Sequence, residues 1–479
     1  MKAKARKARP ANATHPAADK AADPANGSRR PRGRAPAGVP VPPEALPIVC
    51  RTAAGLDCGA TEHYVAVPAD CVPPGEAAVR CFSAFTFGLE SMVDWLKRCG
   101  VSTVAIESTG VYWIALFQKL EEAGLRPLLV NAREVKHVPG RKTDVKDCQW
   151  LQKLHSFGLL SASFRPEDLI CRLRSLQRHR DNMIATAASE IQHIQKALQQ
   201  MNLHLHHVVS DVNGVSGLRI LDAILEGERD PKVLSKLRDH RVRKSTVAEM
   251  EAALVGDYRA EHLFVLRQSL EAYRFYQGQI ERCDQEAEGI LQQLAERPQP
   301  PVESKPPAKP LANERASEPA PAQVKTPPKR KRRPQRNEPR IDFQDYLVRI
   351  CGGVDLCQVI GLNILTVLTI LSETGADMSR WRNEKAFCSW LGLCPGNKKS
   401  GGKILSSRTR KVVNRAATAF RLAAQSLGRT ETCLGLFYRR KKAHLGAPQA
   451  TTATARKLAC IVYAMLKHRK AYHPPDPMA

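Results

Sequence analysis

The sequence predicts an α/β layered domain with a mixed sheet, then a long helical region, then a second, mainly helical domain. Between Ile48 and Phe164, short β-type runs alternate with amphipathic segments. From Ala187 onward, apolar residues recur in a 4-3 rhythm that makes a seam along a helix. Two basic, Pro-rich stretches, 1–48 and 297–340, hold 21 of the 33 prolines and a net charge of +15. Pro at that density removes backbone donors, and so few apolar residues cannot offset ordering entropy, so both stretches are expected to be disordered. The expected domains are therefore a basic arm at 1–48, an α/β domain at 49–166, a helical coiled-coil region at 167–296, a linker at 297–340 and a helical domain at 341–479.

The first domain is expected to hold strands at Gly55 to Asp57 with the residues before them, Tyr64 to Val67, Val79 to Phe82, Val104 to Glu107 and Pro127 to Asn131. Helices are expected near Gly88 to Cys99, Tyr112 to Ala123 and Asp144 to Gly158. A hairpin opening followed by strand-helix-strand units gives a mixed sheet covered by helices.

In the helical region one seam runs Ala187, Ile191, Ile194, Leu198, Met201, Leu205 and Val208. A second runs Leu263, Leu266, Leu270, Tyr273, Ile280, Ala287, Leu291 and Leu294, with Gln277 and Asp284 at intervening positions. Such seams need a partner helix, and an antiparallel coiled coil that also serves oligomerisation is the expectation; an ordinary helix pair within one chain is the alternative. The last domain has glycine turns at Gly352-Gly353, Gly361 and between Gly392 and Gly402. Val359 to Thr366 has the form of a helix-hairpin-helix that aims N–H groups at a phosphate.

The net charge of +27 is unevenly spread. Residues 49–296 are close to neutral at −2, whereas residues 341–479 carry +14, and from Lys398 to the end there are 18 basic against 2 acidic residues. A basic surface confined to one domain points to a polyanionic partner. The longest charge-free stretch, Leu356 to Ser372, is 17 residues and contains Gln358, Asn363, Thr366 and Thr369, too short and polar for a membrane span. The first residues lack the apolar block of a signal peptide, so a cytoplasmic, nucleoid-associated protein without membrane contact is expected. The fourteen cysteines contain no Cys-x-x-Cys and read as reduced packing residues, and the His204, His206, His207 cluster reads as a solvated helix end.

Four acids stand out. Asp57 and Glu107 each close an apolar strand, and Asp144 and Asp147 lie three apart at the start of a helix, on one face. Oxygen-only ligands of this kind suit Mg²⁺ and phosphodiester chemistry. Singly, each acid also reads as a surface charge, or for Asp144 as a helix N-cap. Ser400 is flanked by Gly401 and Gly402 and by Lys398, Lys399 and Lys403, a loop that lets a phosphate approach a hydroxyl closely; a Ser-Gly-Gly turn is also a common loop. Lys398, Lys399, Lys403, Arg408, Arg410 and Lys411 are the expected nucleic-acid contacts.

These motifs occur in a fixed order: Gly55-Leu-Asp57, Glu107-Ser-Thr-Gly-Val-Tyr-Trp113, Lys142-Thr-Asp144-Val-Lys-Asp147, Gly214-Val-Ser-Gly-Leu-Arg-Ile-Leu with Glu226-Gly-Glu-Arg-Asp-Pro231, Trp390-Leu-Gly-Leu-Cys-Pro395 and Ser400-Gly-Gly. Together they resemble the insertion-sequence transposases that pair a DEDD domain with a C-terminal serine domain, the bridge-RNA-guided recombinases related to Piv-type DNA invertases. The resemblance implies a RuvC-like, ribonuclease-H-type fold for the first domain, with Asp57, Glu107, Asp144 and Asp147 as catalytic ligands of Mg²⁺. It further implies Ser400 as a nucleophile that forms a transient phosphoserine link to DNA, a structured guide RNA from the same element, and a homo-oligomer, dimer or tetramer. The alternatives are a RuvC-like nuclease or junction resolvase that does not use the serine, and an inactive nucleic-acid-binding relative. Two departures from the family pattern are Asn363-Ile364 in place of a Gly-Pro pair, where Asn363 is expected to take a left-handed turn, and Ser406-Ser407 followed by a basic run without the family's Gly, which leaves those two serines as further nucleophile candidates.

Overall fold

The computed structural model describes residues 47–108, 110–131, 143–239, 244–298, 337–410 and 412–474. The basic arm, most of the linker and Lys411 lie outside the described residues, as does the side chain of Lys398. The chain divides into two compact units, Met1–Ser163 and Phe164–Ala479.

The first unit is built on five strands: β1 (Ala53–Cys58), β2 (Glu62–Ala66), β3 (Val79–Ser83), β4 (Thr103–Glu107) and β5 (Arg126–Val130). Their order is β3-β2-β1-β4-β5. The first three form an antiparallel meander, while β4 lies parallel to β1 and β5 parallel to β4. A parallel partner requires a crossover helix. Helices α1 (Thr86–Arg98) and α2 (Trp113–Glu122) supply these and bury Trp95, Leu96, Leu116 and Leu120 against Leu56, Val65, Val104 and Ile106. Helix α3 (Asp144–Ser156) covers the other face, where Leu151 packs on Ala105 and Val130. A mixed α/β sheet of this kind fits a RuvC-like DEDD fold.

Gly55 makes the approach of α3 to β1 possible, because a Cβ there would land on the backbone of Cys148 and Gln152. Gly55→Ala is therefore expected to cost about 3 kcal/mol or more, since a whole helix must shift rather than a side chain. Urea unfolding followed by circular dichroism reads the loss as a lower midpoint.

The second unit opens with α4 (Asp168–Gln200). Four short helices follow: α5 (Leu205–Val208), α6 (Val215–Glu226), α7 (Pro231–Lys236) and α8 (Val247–Ala253). The chain then returns along α9 (Ala260–Ala295). Ile194 and Leu198 pack with Leu266, Leu270 and Tyr273 in one cluster, and Ile170 and Leu173 with Ile290, Leu291 and Leu294 in another, so α4 and α9 run antiparallel. The first seam was expected to continue as helix to Val208. Instead α4 ends at Gln200, and Asn202 takes a left-handed φ of 57°. Leu205 and Val208 keep the spacing because they turn back into the same core.

Asp284, a polar residue in the second seam, pairs with Arg180. The guanidinium donates to both carboxylate oxygens, at 2.5 and 3.1 Å, and to the Asn337 carbonyl at 2.8 Å. Both side chains are buried. The end of the expected linker is thus docked on the helix pair, and the Arg340–Glu281 ion pair at 2.8 Å adds to it. Asp284→Ala should cost about 3–5 kcal/mol by stranding a buried guanidinium, whereas Arg180→Met with Asp284→Leu should cost far less. Equilibrium urea melts of the two variants separate these outcomes.

The remaining helices are α10 (Gln344–Ile350), α11 (Ile364–Thr374), α12 (Glu384–Trp390), α13 (Arg415–Leu427), α14 (Cys433–Leu445) and α15 (Ala447–His468). Their core includes Phe343, Leu368, Phe387, Phe420 and Leu458 and is continuous with Ile170 and Leu291 of the helix pair. Arg174 and Arg178 of α4 grip Glu373 of α11, Arg178 through two bonds of 3.0 and 2.9 Å. Asn363 does not take the expected left-handed turn. Its φ is −116°, and its side chain caps α11 by accepting from the Thr366 N–H at 2.8 Å, while Gly361 supplies the positive φ of 96°. No described helix is long and apolar enough to cross a membrane.

Candidate active site

Register decides where the four acids point. Leu56 of β1 pairs with Ile106 of parallel β4, so the next residues, Asp57 and Glu107, are neighbours on adjacent strands and share a face. That face is the one under α3. Gly55, two residues before Asp57, abuts Cys148 and Gln152, and Ala105, two before Glu107, packs on Leu151. Helix α3 runs back along β1, with Gln152 reaching the Ala53 carbonyl at 3.4 Å, so its first turn lies toward the Asp57 end. Asp144 and Asp147 occupy that first turn.

Thr143, not Asp144, caps this helix: its hydroxyl accepts from the Lys146 N–H at 3.3 Å. The capping alternative for Asp144 is thereby removed, and its exposed carboxylate stands at the helix N-terminus beside half-buried Asp147. Cys148 reports the crowding of negative charge. Burial first, then the Asp57 and Asp147 carboxylates, push its thiol up to about 12.

The donors are carboxylate oxygens alone, the hard set that suits Mg²⁺ better than a thiophilic metal. Asp57 and Glu107 share one face at one end of the sheet, Asp144 and Asp147 lie in the first turn of α3, and the chemistry of the donor set fits the ion. Among the described residues, no three such side chains stand close enough to hold an ion. Segment 132–142, which leads into α3, lies outside the described residues.

The same register reveals two residues that sequence reading missed. Asp57 is directly opposite Tyr64 on β2, and Tyr64 is opposite Cys81 on β3, so all three lie in one row on the face of the acids. Hydrogen bonding to Cys81, with the charges of Cys81 and Glu62, pushes the Tyr64 phenol up to about 12, and its hydroxyl donates to Glu62 at 3.3 Å. Only the β1–β2 and β2–β3 pairings together carry this signal.

Ser400 ends β6 (Lys398–Ser400), which pairs antiparallel with β7 (Lys403–Ser406). Gly401 and Gly402, with φ of 55° and 77°, form the two-residue connection. Two consecutive positive φ angles specify a type I′ turn, which glycine adopts without strain. The serine is therefore exposed at the tip of a hairpin, next to exposed Lys399 and Lys403. Ile404 and Leu405, 58% and 69% exposed, give the hairpin an apolar side that nothing in the described residues covers. At its base the Gly396 N–H donates to Arg408 O at 2.9 Å, and Pro395 bridges Thr409. Arg410, although exposed, donates to the Ser389 carbonyl at 2.6 Å, which ties the hairpin to α12. Ser406 Oγ accepts from the Arg408 N–H at 3.4 Å, and Ser407 is exposed.

Residues 54–203 match the family model for the DEDD domain of IS110-type elements, described as a transposase, and residues 355–439 match that described as Transposase IS116/IS110/IS902 family. The first span contains all four acids, and the second contains Ser400 and the whole basic hairpin. No curated protein matches the chain.

Proposed function

The chain belongs to the IS110 transposase family and is an enzyme that acts on DNA as a transposase or recombinase, and from that premise we propose that it breaks and rejoins DNA strands through Ser400. The observation that carries this reading is the placement of Ser400. An exposed hydroxyl sits beside a two-glycine turn, between Lys399 and Lys403, in the C-terminal matched span.

The Ser400 hydroxyl attacks a DNA phosphorus, loses its proton, and forms a phosphoserine ester, while the broken P–O bond leaves a sugar hydroxyl that takes up a proton. A sugar hydroxyl of the second strand then attacks that ester, joins the new strand and restores serine. One phosphoester replaces another at each step, so no external energy source is needed. Lys399, Lys403 and Arg408 draw the phosphate in and offset charge that grows on its oxygens. Arg410 sets the base of the hairpin, and Lys398 and Lys411 complete the proposed nucleic-acid contacts.

Asp57, Glu107, Asp144 and Asp147 are proposed to hold Mg²⁺, which when bound would supply Lewis-acid polarisation of a phosphate oxygen. The shared face of Asp57 and Glu107 beneath the first turn of α3 supports that assignment. Sequence choice is proposed to rest with a structured guide RNA, which would leave the basic hairpin to contact backbone phosphates. A homo-oligomer joined through the α4–α9 pair as a coiled coil is supported by Phe264 and Phe275, both 60% exposed on α9 and eleven residues apart on one stripe. The reading is tested by whether DNA becomes covalently attached to the protein, and whether attachment depends on Ser400.

A further inference from the structure

Helices α14 and α15 form a hairpin with cations gathered on one side. On α14, Phe437, Arg440, Lys441 and His444 fall at i, i+3, i+4 and i+7, a single stripe. From α15, Lys457 reaches the same place. Its Nζ lies 4.7 Å from the centre of the Phe437 ring, and that of Lys441 lies 5.7 Å away. Arg440, His444 and Lys457 are exposed and Lys441 half-exposed.

Neither helix contains a carboxylate, and between Lys398 and His473 the chain has a single acid, Glu431. Among the described residues, Arg440, Lys441 and Lys457 form no ion pair. Arg439 differs: it points back and donates to Thr430 O at 2.6 Å, so it belongs to the scaffold. The dipole at the end of α14 favours cations in its last turn and accounts for Lys442 and His444. It does not account for Lys457, which lies in the middle of α15 and shares the Phe437 ring with Lys441. Cations gathered on one folded surface with no carboxylate on either helix repel one another, and a polyanion neutralises them.

We propose that this face, Arg440, Lys441, His444 and Lys457 around Phe437, clamps the sugar-phosphate backbone of duplex DNA without reading its sequence, in addition to the hairpin that carries Ser400. Duplex is favoured over unpaired nucleic acid because the Phe437 ring is flanked by two lysines and offers no open platform on which a base could stack. DNA as the occupant follows from the transposase family, and the clamp does not depend on the serine chemistry.

The test uses the full chain without Mg²⁺, so that cleavage plays no part. Binding of two fluorescent 30-bp duplexes of unrelated sequence, and of an RNA hairpin, is titrated across salt. In the Arg440→Gln/Lys441→Gln/Lys457→Gln variant, the slope of log K against log salt should fall by about 2–3 for both duplexes, one unit per lost phosphate contact. Affinity in 0.1 M salt should drop roughly 10-fold or more. The Lys441→Arg/Lys457→Arg variant should bind as wild type, and an unchanged melting temperature in both checks the fold. An unchanged slope in the triple variant overturns the clamp. Loss confined to one duplex, or to the RNA, overturns its assignment to duplex backbone.

Discussion

Ser400→Ala is expected to abolish protein-linked DNA and strand exchange, with a rate loss of roughly 10³-fold or more, the scale seen when a nucleophile is removed. The fold should hold. The side chain is exposed at the tip of a hairpin, and deleting an exposed hydroxyl changes stability by no more than about 0.5 kcal/mol. A denaturing gel of end-labelled DNA incubated with protein shows the covalent adduct as a slow band that proteinase removes. Wild type should form it, and Ser406→Ala and Ser407→Ala should retain it. Full strand exchange by the Ser400 variant would refute the serine mechanism, and an adduct mapping to Ser406 would move the nucleophile along the hairpin. A nuclease using water would behave differently again, nicking DNA in the variant as well as in wild type and never forming the slow band.

Asp57→Asn should remove strand cleavage to a similar extent while binding to DNA persists. Asparagine keeps the shape of the side chain but gives up the anionic oxygen that a Mg²⁺ site requires. A second readout is independent of catalysis. If the acids hold the ion in the folded chain only, Mg²⁺ at a hundred times its dissociation constant should stabilise wild type by about 2.7 kcal/mol. The Asn variant should lose most of that gain, and Asp144→Asn should do the same. A melting temperature that responds to Mg²⁺ equally in all three proteins would show that these acids are not its ligands. Full cleavage by Asp57→Asn would remove the acids from the chemistry altogether.

The strands were legible to within a residue or two because short apolar runs bounded by turns are a local property. Val104 to Glu107 was expected and Thr103–Glu107 is found. The helix seams were legible for the same reason, yet the end of α4 was not. Spacing of apolar residues records burial, and Leu205 and Val208 stay buried after the chain has turned at Asn202. At Asn363 the residue type allowed a left-handed turn, but a nearby helix start offered its side chain an N–H to accept, and capping prevailed. Asp284 stood out in the sequence as a polar residue in a seam. Its partner, Arg180, lies 104 positions away and carries no mark in the sequence that singles it out.

The acids were picked out singly by their position after apolar runs. That Asp57 and Glu107 share a face, and that Tyr64 and Cys81 continue their row, follows only from strand register. A slip of one residue would turn each side chain to the opposite side of the sheet. Ser400 was marked by glycines and lysines, but a loop and a tight hairpin have the same composition, and only the paired strands show that the serine is held at a tip. The sequence by itself thus determined the order of elements, the segregation of positive charge into the two Pro-rich stretches and the C-terminal domain, and the family. Local propensity and composition suffice for the first two, and the ordered motifs carry the family. Tertiary structure alone decided that Asp57 and Glu107 share a face of the sheet, which cations are anchored and which face solvent, because these depend on contacts between residues far apart in the chain.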